Sequence, residues 1–189
     1  MLRIENEEAI LEVTTRAAEI TSFYDKKKKI EHMWQADPQF WSGRNPILFP
    51  MVGSTWNRQI EIGGQVYTMG NHGFARNSEF TVEETTEDTL VLSLCDSEET
   101  RSQYPFRFKL TVRYQLSGRK LTVSYQVDNR SQTMMPFNFG LHPAFNCPMA
   151  AGESFTDYRL VFACPEDQLL EKNGQRFELK GETEIPLSY

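Results

Sequence analysis

No stretch of this 189-residue chain is apolar for the roughly 18–20 consecutive residues that a membrane-spanning helix needs. The N-terminal segment, residues 1–8, is acidic and lacks the apolar core of a secretory signal. From these two absences we expect a protein that does not cross a membrane and that works in the cytoplasm.

Positive charge is also scarce. The chain has 20 Lys and Arg residues against 26 Asp and Glu residues, which gives a formal net charge of −6. An acidic chain binds polyanions poorly, so we expect neither nucleic acid nor an anionic membrane surface as a partner. The one basic run, Lys26-Lys27-Lys28-Lys29, is short, and we interpret it as the solvated tip of a hairpin rather than as a nucleic-acid patch.

Cysteine occurs only three times, at Cys95, Cys147 and Cys164, and no two of these residues lie close together in the sequence. This odd count predicts reduced thiols rather than a disulfide framework. Cys147 follows His142 by five residues, but no second spaced pair of ligands accompanies them, so we predict no metal site. The sequence also lacks a phosphate loop, a nucleophile elbow, a zinc-binding helix and a dinucleotide fingerprint.

Patterns typical of β-strands fill most of the sequence. Residues 106–116 alternate apolar and polar side chains without a break, and residues 121–127 do so again after the turn Ser117-Gly118-Arg119. This period of two predicts a long antiparallel hairpin with one buried face. Weaker copies of the pattern predict strands over 9–14, 19–24, 30–34, 59–62, 65–68, 79–85 and 89–95. Asn173-Gly174 predicts a further hairpin turn, of type I′.

Helical periodicity is missing. No segment of 12 or more residues carries a convincing apolar stripe, and the many short strands with frequent turns predict an all-β sandwich or a related barrel. The length suits a single domain, residues 1–189, with a sizeable hydrophobic core.

Histidine is rare, yet two of the three histidines lie in dense clusters of turn-forming and aromatic residues. His72 lies in Asn71-His72-Gly73-Phe74-Ala75-Arg76, and His142 lies in Gly140-Leu141-His142-Pro143-Ala144-Phe145-Asn146. Glycine and proline let a turn direct a side chain into a cleft, and imidazole exchanges protons near neutral pH. We therefore predict one site built from two loops. A buried structural role is the alternative for both, and it is our interpretation of His32.

Two arginines have similar surroundings. Arg44 lies near Trp41 and Phe49, and this favours a pocket because aromatic faces commonly pack against sugars or ring systems. Arg76 ends the cluster around His72. Two guanidinium groups at one site would favour a polyhydroxylated or phosphorylated ligand. The alternative for each arginine is an ordinary surface charge.

The motifs, taken together and in order, resemble the aldose 1-epimerase (galactose mutarotase) family and in particular its LacX-like branch. They are Trp34-Gln35-Ala36-Asp37-Pro38 with Trp41, Gly43-Arg44-Asn45-Pro46-Ile47-Leu48-Phe49-Pro50, His72-Gly73-Phe74-Ala75-Arg76, Tyr104-Pro105-Phe106 and His142-Pro143-Ala144-Phe145-Asn146. The resemblance runs through essentially the whole chain. It implies a large antiparallel β-sandwich of the galactose mutarotase-like type with an open sugar cleft. It also implies interconversion of the α and β anomers of a free aldose, without a cofactor.

The resemblance also implies roles for individual residues. His142 matches the general acid that protonates the ring oxygen, and His72 matches the histidine that holds the sugar ring and supports the developing charge. Arg44 matches an arginine that hydrogen-bonds sugar hydroxyls. Arg76 is a further candidate contact, and Asn71 joins the expected substrate-binding residues because it lies beside His72. The expected ligand is a hexose or a hexose phosphate.

The family's base is a glutamate on a late segment of the fold, and this chain ends at Tyr189, before any such segment. We therefore expect an N-terminal portion of the family fold that lacks the last strands and has little activity. Its unpaired strand edges would favour self-association. Glu153, Asp157 and Glu166 are candidate replacement bases, although nothing in the sequence favours any of them. The alternatives are a non-catalytic carbohydrate-binding module on the same scaffold and a β-sandwich subunit with an assembly role.

Overall fold

The computed structural model describes residues 1–159, 161, 170–173 and 176–179. Within these residues the chain forms fourteen β-strands, one short α-helix, α1 (Glu98–Gln103), and three turns of 3-10 helix. The strands are β1 (Leu2–Glu5), β2 (Ala9–Val13), β3 (Ile20–Asp25), β4 (Ile30–Glu31), β5 (Ile47–Leu48), β6 (Gln59–Ile62), β7 (Gln65–Thr68), β8 (Thr81–Thr85), β9 (Thr89–Cys95), β10 (Phe108–Ser117), β11 (Lys120–Asn129), β12 (Gly140–Leu141), β13 (Leu170–Asn173) and β14 (Arg176–Leu179). No helix among the described residues is long and apolar enough to span a membrane.

Two four-stranded sheets account for eight of these strands. The first has the order β1-β2-β3-β4 and the second the order β11-β10-β9-β8. The remaining strands form three antiparallel pairs, β12 with β5, β6 with β7, and β13 with β14. Neighbouring strands within both larger sheets are also antiparallel. The predicted all-β antiparallel fold is therefore confirmed.

The two larger sheets share one hydrophobic core. Every second residue of β10 is buried while the residues between them are partly or fully exposed, as the alternating sequence predicted. Side chains from both sheets meet in this core, among them Leu11, Val13, Leu90, Leu92, Leu110, Val112 and Tyr114. The hydroxyl of Tyr114, in the second sheet, donates a hydrogen bond to the carbonyl of Ala18, which lies in the turn between β2 and β3. The sheets are thus joined by a buried polar contact as well as by apolar packing.

The predicted hairpins are present with small shifts of their ends. Gly118 and Arg119 form the two-residue turn between β10 and β11, and β13 pairs with β14 around the predicted turn at Asn173. Residues 174 and 175, which would define the type of that turn, lie outside the described residues. The lysine run forms the turn between β3 and β4, where Lys26 and Lys27 make ion pairs with Glu5 and Glu8.

The strand expected over residues 30–34 is shorter than predicted. β4 ends at Glu31, and the N–H of His32 still donates to the carbonyl of Phe23 in β3 at 3.0 Å before the chain pairs with a distant segment. Met33 forms a bridge with Phe145, and the N–H of Trp34 donates to the carbonyl of Ala144 at 3.1 Å. This change of partner attaches the segment that follows β12 to the chain just after β4.

Candidate active site

The five residues from Pro46 to Pro50 lie between the two predicted histidine loops, and we call them the anchor segment. Its strand β5 pairs with β12, so that Leu48 lies opposite Gly140 and Ile47 opposite Leu141. The N–H of His142 then donates to the carbonyl of Pro46 at 3.3 Å. The backbone of His142 is therefore fixed by the end of a short two-stranded ladder.

The chain after His142 is held on both sides. The N–H of Ala144 donates to the carbonyl of Arg44 at 2.7 Å, and the carbonyl of Ala144 accepts from Trp34. Two residues later, the N–H of Asn146 donates to the carbonyl of His32 at 2.9 Å. The carbonyl of His32 is thus one of the groups that hold this segment. The imidazole ring of His32 packs against Phe23, with ring centroids 5.4 Å apart.

The imidazole of His142 is exposed and lies beside the indole of Trp41, with ring centroids 4.9 Å apart. The indole N–H of Trp34 donates to the carbonyl of Trp41 at 2.8 Å. A Cβ atom at Gly43 would lie only 2.5 Å from Cζ2 of Trp41, so a larger residue there would push against the ring. Trp41 is therefore fixed by its neighbours, and its ring lies next to the exposed imidazole of His142.

His72 is held by a different loop. Its N–H donates to the carbonyl of Gly53 at 2.7 Å, and its Nδ1 accepts from the N–H of Gly53 at 2.9 Å. A nitrogen that accepts a hydrogen bond carries no proton, so the proton of the neutral ring is on Nε2. The half-buried imidazole thus has one fixed tautomer with Nε2–H as its free donor.

Gly73 presses the His72 loop onto the anchor segment. Its φ is +71°, and a Cβ atom at this position would lie 2.2 Å from the carbonyl oxygen of Phe49. That oxygen accepts hydrogen bonds from the N–H groups of Phe74 and Ala75 at 3.1 and 3.2 Å. The anchor segment therefore fixes the backbone of His142 near its beginning and the loop of His72 near its end.

Electrostatic interactions show which of the predicted residues share one region. The pKa of His72 lies below its ordinary value, mainly because the ring is partly buried and further because of the positive charges of Arg76 and His142. These two residues can act on His72 only from nearby. Arg76 and His142 are therefore within electrostatic range of His72, and the lowered pKa favours the neutral form of the His72 ring at neutral pH.

The arginines and Asn71 are placed as follows. Arg44 is half-buried, and its Nη2 donates to the carbonyl of Gln35 at 3.3 Å, while its buried Nε has no hydrogen-bond partner among the described residues. The backbone N–H groups of Arg44 and Asn45 both donate to Oε1 of Glu19 at 2.9 Å. Asn71 is exposed and Arg76 half-buried. Within the described part of the chain, no hydrogen bond or ion pair occupies the guanidinium of Arg76.

Phe49 does not form part of a pocket beside Arg44, contrary to our expectation. Its side chain is fully buried and packs against the rings of Phe74, Tyr104 and Phe108. The carbonyl of Phe49 holds the loop of His72, while the ring of Phe49 packs in the hydrophobic core. Sequence reasoning also missed the contributions of Glu19 and Gly53, because both act on residues far away in the chain.

The candidate replacement bases are engaged elsewhere. Glu153 accepts hydrogen bonds from the hydroxyl of Tyr158 and from the N–H of Ala150, and Asp157 accepts from the N–H of Ser154 at 2.7 Å. Both carboxylates thus stabilise local turns. Glu166 lies outside the described residues, as does Cys164, while Cys95 and Cys147 are free thiols. No three His, Cys, Asp or Glu side chains converge in the described part of the chain.

Two cavities lie near these residues, but neither is lined by His72 or His142. The larger one, of about 530 Å³, borders the His72 loop at Gly70 and Gly73 and is otherwise lined mainly by β9, α1 and the start of β8. The smaller one, of about 340 Å³, lies between the anchor segment, β6 and Phe137. The two imidazoles therefore lie outside the lining of both cavities.

Comparison with known proteins places this geometry in a family. The aldose 1-epimerase family model matches residues 1–181. The plasmid and chromosomal LacX proteins of Lactococcus lactis subsp. lactis are each 35% identical to this chain over 204 residues, an alignment that covers 100% of this chain and 68% of each relative.

Solved structures agree with this assignment. A galactose mutarotase related enzyme from Lactobacillus acidophilus is 40% identical, with a TM-score of 0.78 over 81% of this chain and 51% of that one. A galactose mutarotase-like protein from Lactobacillus casei ATCC 334 is 36% identical, with a TM-score of 0.76 over 80% and 51%. The chain thus spans about half the length of these solved relatives. With its antiparallel sheets, its ordered motifs and these matches, the chain belongs to the aldose 1-epimerase family.

Proposed function

We propose that this chain carries the acid and the sugar-holding side of an aldose 1-epimerase, which interconverts the α and β anomers of a hexose. The observation that carries the proposal is the common anchoring of His72 and His142. A single five-residue segment orients both loops, and it leaves one imidazole exposed and the other neutral with a fixed Nε2–H donor.

Ring opening requires a proton to leave the anomeric hydroxyl, with solvent water as its acceptor in this chain, while another proton reaches the ring oxygen. His142 is the residue suited to deliver the second proton, because its imidazole is exposed and an imidazole exchanges protons near neutral pH. A positioned acid or base contributes roughly 10²–10⁴ in rate. Rotation about the bond next to the anomeric carbon, followed by ring closure, then gives the other anomer.

His72 and the indole of Trp41 are suited to hold the sugar. The neutral His72 ring donates through Nε2 to a sugar oxygen and strengthens that bond as negative charge develops there. Trp41 presents an aromatic face beside His142, and such faces pack against the apolar side of a sugar ring. Because the Nδ1 of His72 is already bonded to Gly53, the donor direction does not depend on the ligand.

Arg76 and Arg44 supply further donors. The guanidinium of Arg76 lies close enough to His72 to lower its pKa, so a ligand held by His72 is also within its electrostatic reach. A guanidinium binds phosphate in a bidentate manner as well as sugar hydroxyls. We therefore include a hexose phosphate beside the neutral hexose as a substrate class, with Asn71 at the exposed rim.

Sugar binding without turnover is the second candidate function. It is favoured by the environment of Glu153 and Asp157, since both carboxylates already accept hydrogen bonds in local turns and are poor candidates for the base. In that case the same histidines and arginines would bind the sugar, and anomer exchange would proceed only at its spontaneous rate.

Polarimetry on freshly dissolved α-glucose and α-galactose, combined with an NMR titration of each sugar, tests both functions. An epimerase accelerates the optical rotation change, and His142→Ala abolishes the acceleration while His32→Gln retains it. A binding module shows sugar-dependent shifts in the indole resonances without acceleration. If neither sugar nor hexose 6-phosphate shifts any resonance at millimolar concentration, both functions are wrong. A His32→Gln variant as inactive as His142→Ala would contradict the assignment of the acid.

A further inference from the structure

The turn between β2 and β3, residues 14–19, contacts both loops of the candidate site. On one side, the N–H of Ala17 donates to the carbonyl of Ser78 at 2.7 Å. Ser78 directly follows the 3-10 turn Ala75–Asn77, which contains Arg76. The turn is therefore attached to the chain two residues after Arg76.

On its other side the turn reaches Arg44 and Asn45 through the side chain of Glu19. One carboxylate oxygen, Oε1, accepts the backbone N–H groups of both residues at 2.9 Å. Asn45 is a buried residue, and a buried N–H group needs a partner. Because hydrogen bonds to a charged acceptor are the strong ones, the position of the Arg44 backbone depends on Glu19.

The backbone of Arg44 extends this constraint to the segment of His142. The carbonyl of Arg44 accepts the N–H of Ala144 at 2.7 Å. Only Pro143 separates Ala144 from His142, and the ring of a proline fixes its φ. Two successive hydrogen bonds and a short, stiff stretch of backbone thus connect the carboxylate of Glu19 to His142.

The turn that carries Glu19 has a strained backbone. Ala17 and Ala18 have φ values of +61° and +47°, in the left-handed region that alanine rarely adopts. Both alanines are buried, and the carbonyl of Ala18 accepts a hydrogen bond from the hydroxyl of Tyr114. Strain of this kind persists where the surrounding contacts determine the conformation, and it is concentrated at functional sites. Here it lies directly before Glu19.

We propose that Glu19 is a positioning residue, which holds the backbone of Arg44 and, through it, the segment of His142. The turn also binds the chain after Arg76, so it places the two loops of the site relative to each other. Oε1 of Glu19 already accepts two N–H groups, so Glu19 acts through Arg44 rather than on the sugar. The consequence for sugar binding rests on the proposed function, whereas the hydrogen bonds do not.

NMR spectra recorded without a sugar test this positioning role. In Glu19→Ala we expect shifts of the amide resonance of Ala144 and of the ring resonances of His142, in addition to those of the two N–H groups that lose their acceptor. The ring of His142 responds because its centroid lies 4.9 Å from that of the Trp41 indole, and this distance changes when the backbone moves. Shifts confined to the two N–H groups would overturn the proposal, because Glu19 would then hold only its immediate partners.

Three further variants separate charge, reach and general effects. Glu12 in β2 accepts a hydrogen bond from Arg3 at 3.2 Å, so Glu12→Ala removes a carboxylate of the same sheet and should leave the resonances of Ala144 and His142 unchanged. Glu19→Gln keeps an acceptor oxygen and should return the His142 resonances toward their wild-type positions. Glu19→Asp keeps the charge but is one methylene shorter, so it should shift the same resonances even where Glu19→Ala does not fold. Unshifted resonances in Glu19→Asp would overturn the proposal.

Sugar affinity distinguishes a failure of this proposal from a failure of the proposed function. In NMR titrations with glucose and galactose, Glu19→Ala should raise the dissociation constant roughly tenfold, and Glu19→Gln by about threefold or less. Glu12→Ala should bind as the wild type does. Equal affinity of Glu19→Ala and the wild type would overturn the positioning role and leave the function standing. If the wild type binds neither sugar, the proposed function is wrong, and the resonances of Ala144 and His142 still support or overturn the role of Glu19.

Discussion

The close approach of Gly73 to Phe49 can be tested by adding a single methyl group. Gly73→Ala places a Cβ atom 2.2 Å from the carbonyl oxygen of Phe49, 2.5 Å from its carbonyl carbon and 2.7 Å from the nitrogen of Pro50. All three neighbours are backbone atoms of the anchor segment, so no side chain can rotate away. The loop must move, and His72 must move with it.

The expected loss of stability has two parts. An alanine at φ +71° costs about 1–2 kcal/mol in backbone strain. Moving Phe49 away weakens the hydrogen bonds that its carbonyl accepts from Phe74 and Ala75, each contributing about 1 kcal/mol. We therefore expect Gly73→Ala to lower the free energy of unfolding by about 3–4 kcal/mol, a large share of the roughly 5–15 kcal/mol typical of a domain.

Two other glycines near His72 separate strain from steric overlap. Gly53 has φ +78° and no atom within 4 Å of an added Cβ, so Gly53→Ala should cost only the strain, about 1–2 kcal/mol. Gly70 has neither a positive φ nor a close neighbour, so Gly70→Ala should change stability by less than about 0.5 kcal/mol. Urea unfolding followed by tryptophan fluorescence measures all three variants. If Gly73→Ala costs no more than Gly53→Ala, the contact with the anchor segment is not as described.

Three further predictions concern single polar groups. The free energy of unfolding should fall as the pH falls from about 6.5 toward the lowered folded-state pKa of His72, because the unfolded chain protonates this ring first. Urea unfolding of His72→Gln should show a weaker dependence of stability on pH. The same pH dependence in both proteins would contradict the burial of His72. Tyr114→Phe should lower the free energy of unfolding, measured by calorimetry, by about 1–3 kcal/mol because it leaves the buried carbonyl of Ala18 without its donor. A loss near zero would mean that water replaces the hydroxyl. Glu19→Ala should cost about 2–3 kcal/mol of stability and weaken the proposed sugar binding, whereas Glu19→Gln, which keeps an acceptor oxygen, should cost less. Equal losses would show that the hydrogen bonds from Arg44 and Asn45 to Glu19 are unimportant.

The sequence predicted those strands whose pattern persists. Ten residues of strict alternation define the hairpin of β10 and β11, and a period of two needs no knowledge of distant partners. β5 and β12 have two residues each, too few for any period, and only their mutual pairing across some ninety residues defines them as strands. α1 has six residues, and a reciprocal capping pair between Ser97 and Thr100 holds its first turn. The extent of one domain over residues 1–189 stays a prediction.

The site was predictable to the extent that its residues carry local signals. The two histidine clusters stand out because turn residues surround a rare imidazole, and the charges of Arg76 and His142 both act on His72. That these residues form one sugar site stays a prediction. Phe49 was misassigned because nearness in sequence to Arg44 does not reveal which side of the chain faces the core. Glu19 gave no signal, since its two hydrogen bonds reach residues 25 and 26 positions away.

The short anchor segment sets the distance between the loop of His72 and the loop of His142, because it binds the backbone of both. From the carbonyl of Pro46, which holds His142, to the carbonyl of Phe49, which holds the His72 loop, the extended chain measures roughly 10 Å. A change of length outside these five residues leaves this spacing unaltered. Deleting a single residue between Pro46 and Phe49 would shorten the spacing by about 3.3 Å and turn the ring of Phe49 outward. A change of length at this point would therefore disturb the core around Phe49 together with the spacing of the two loops.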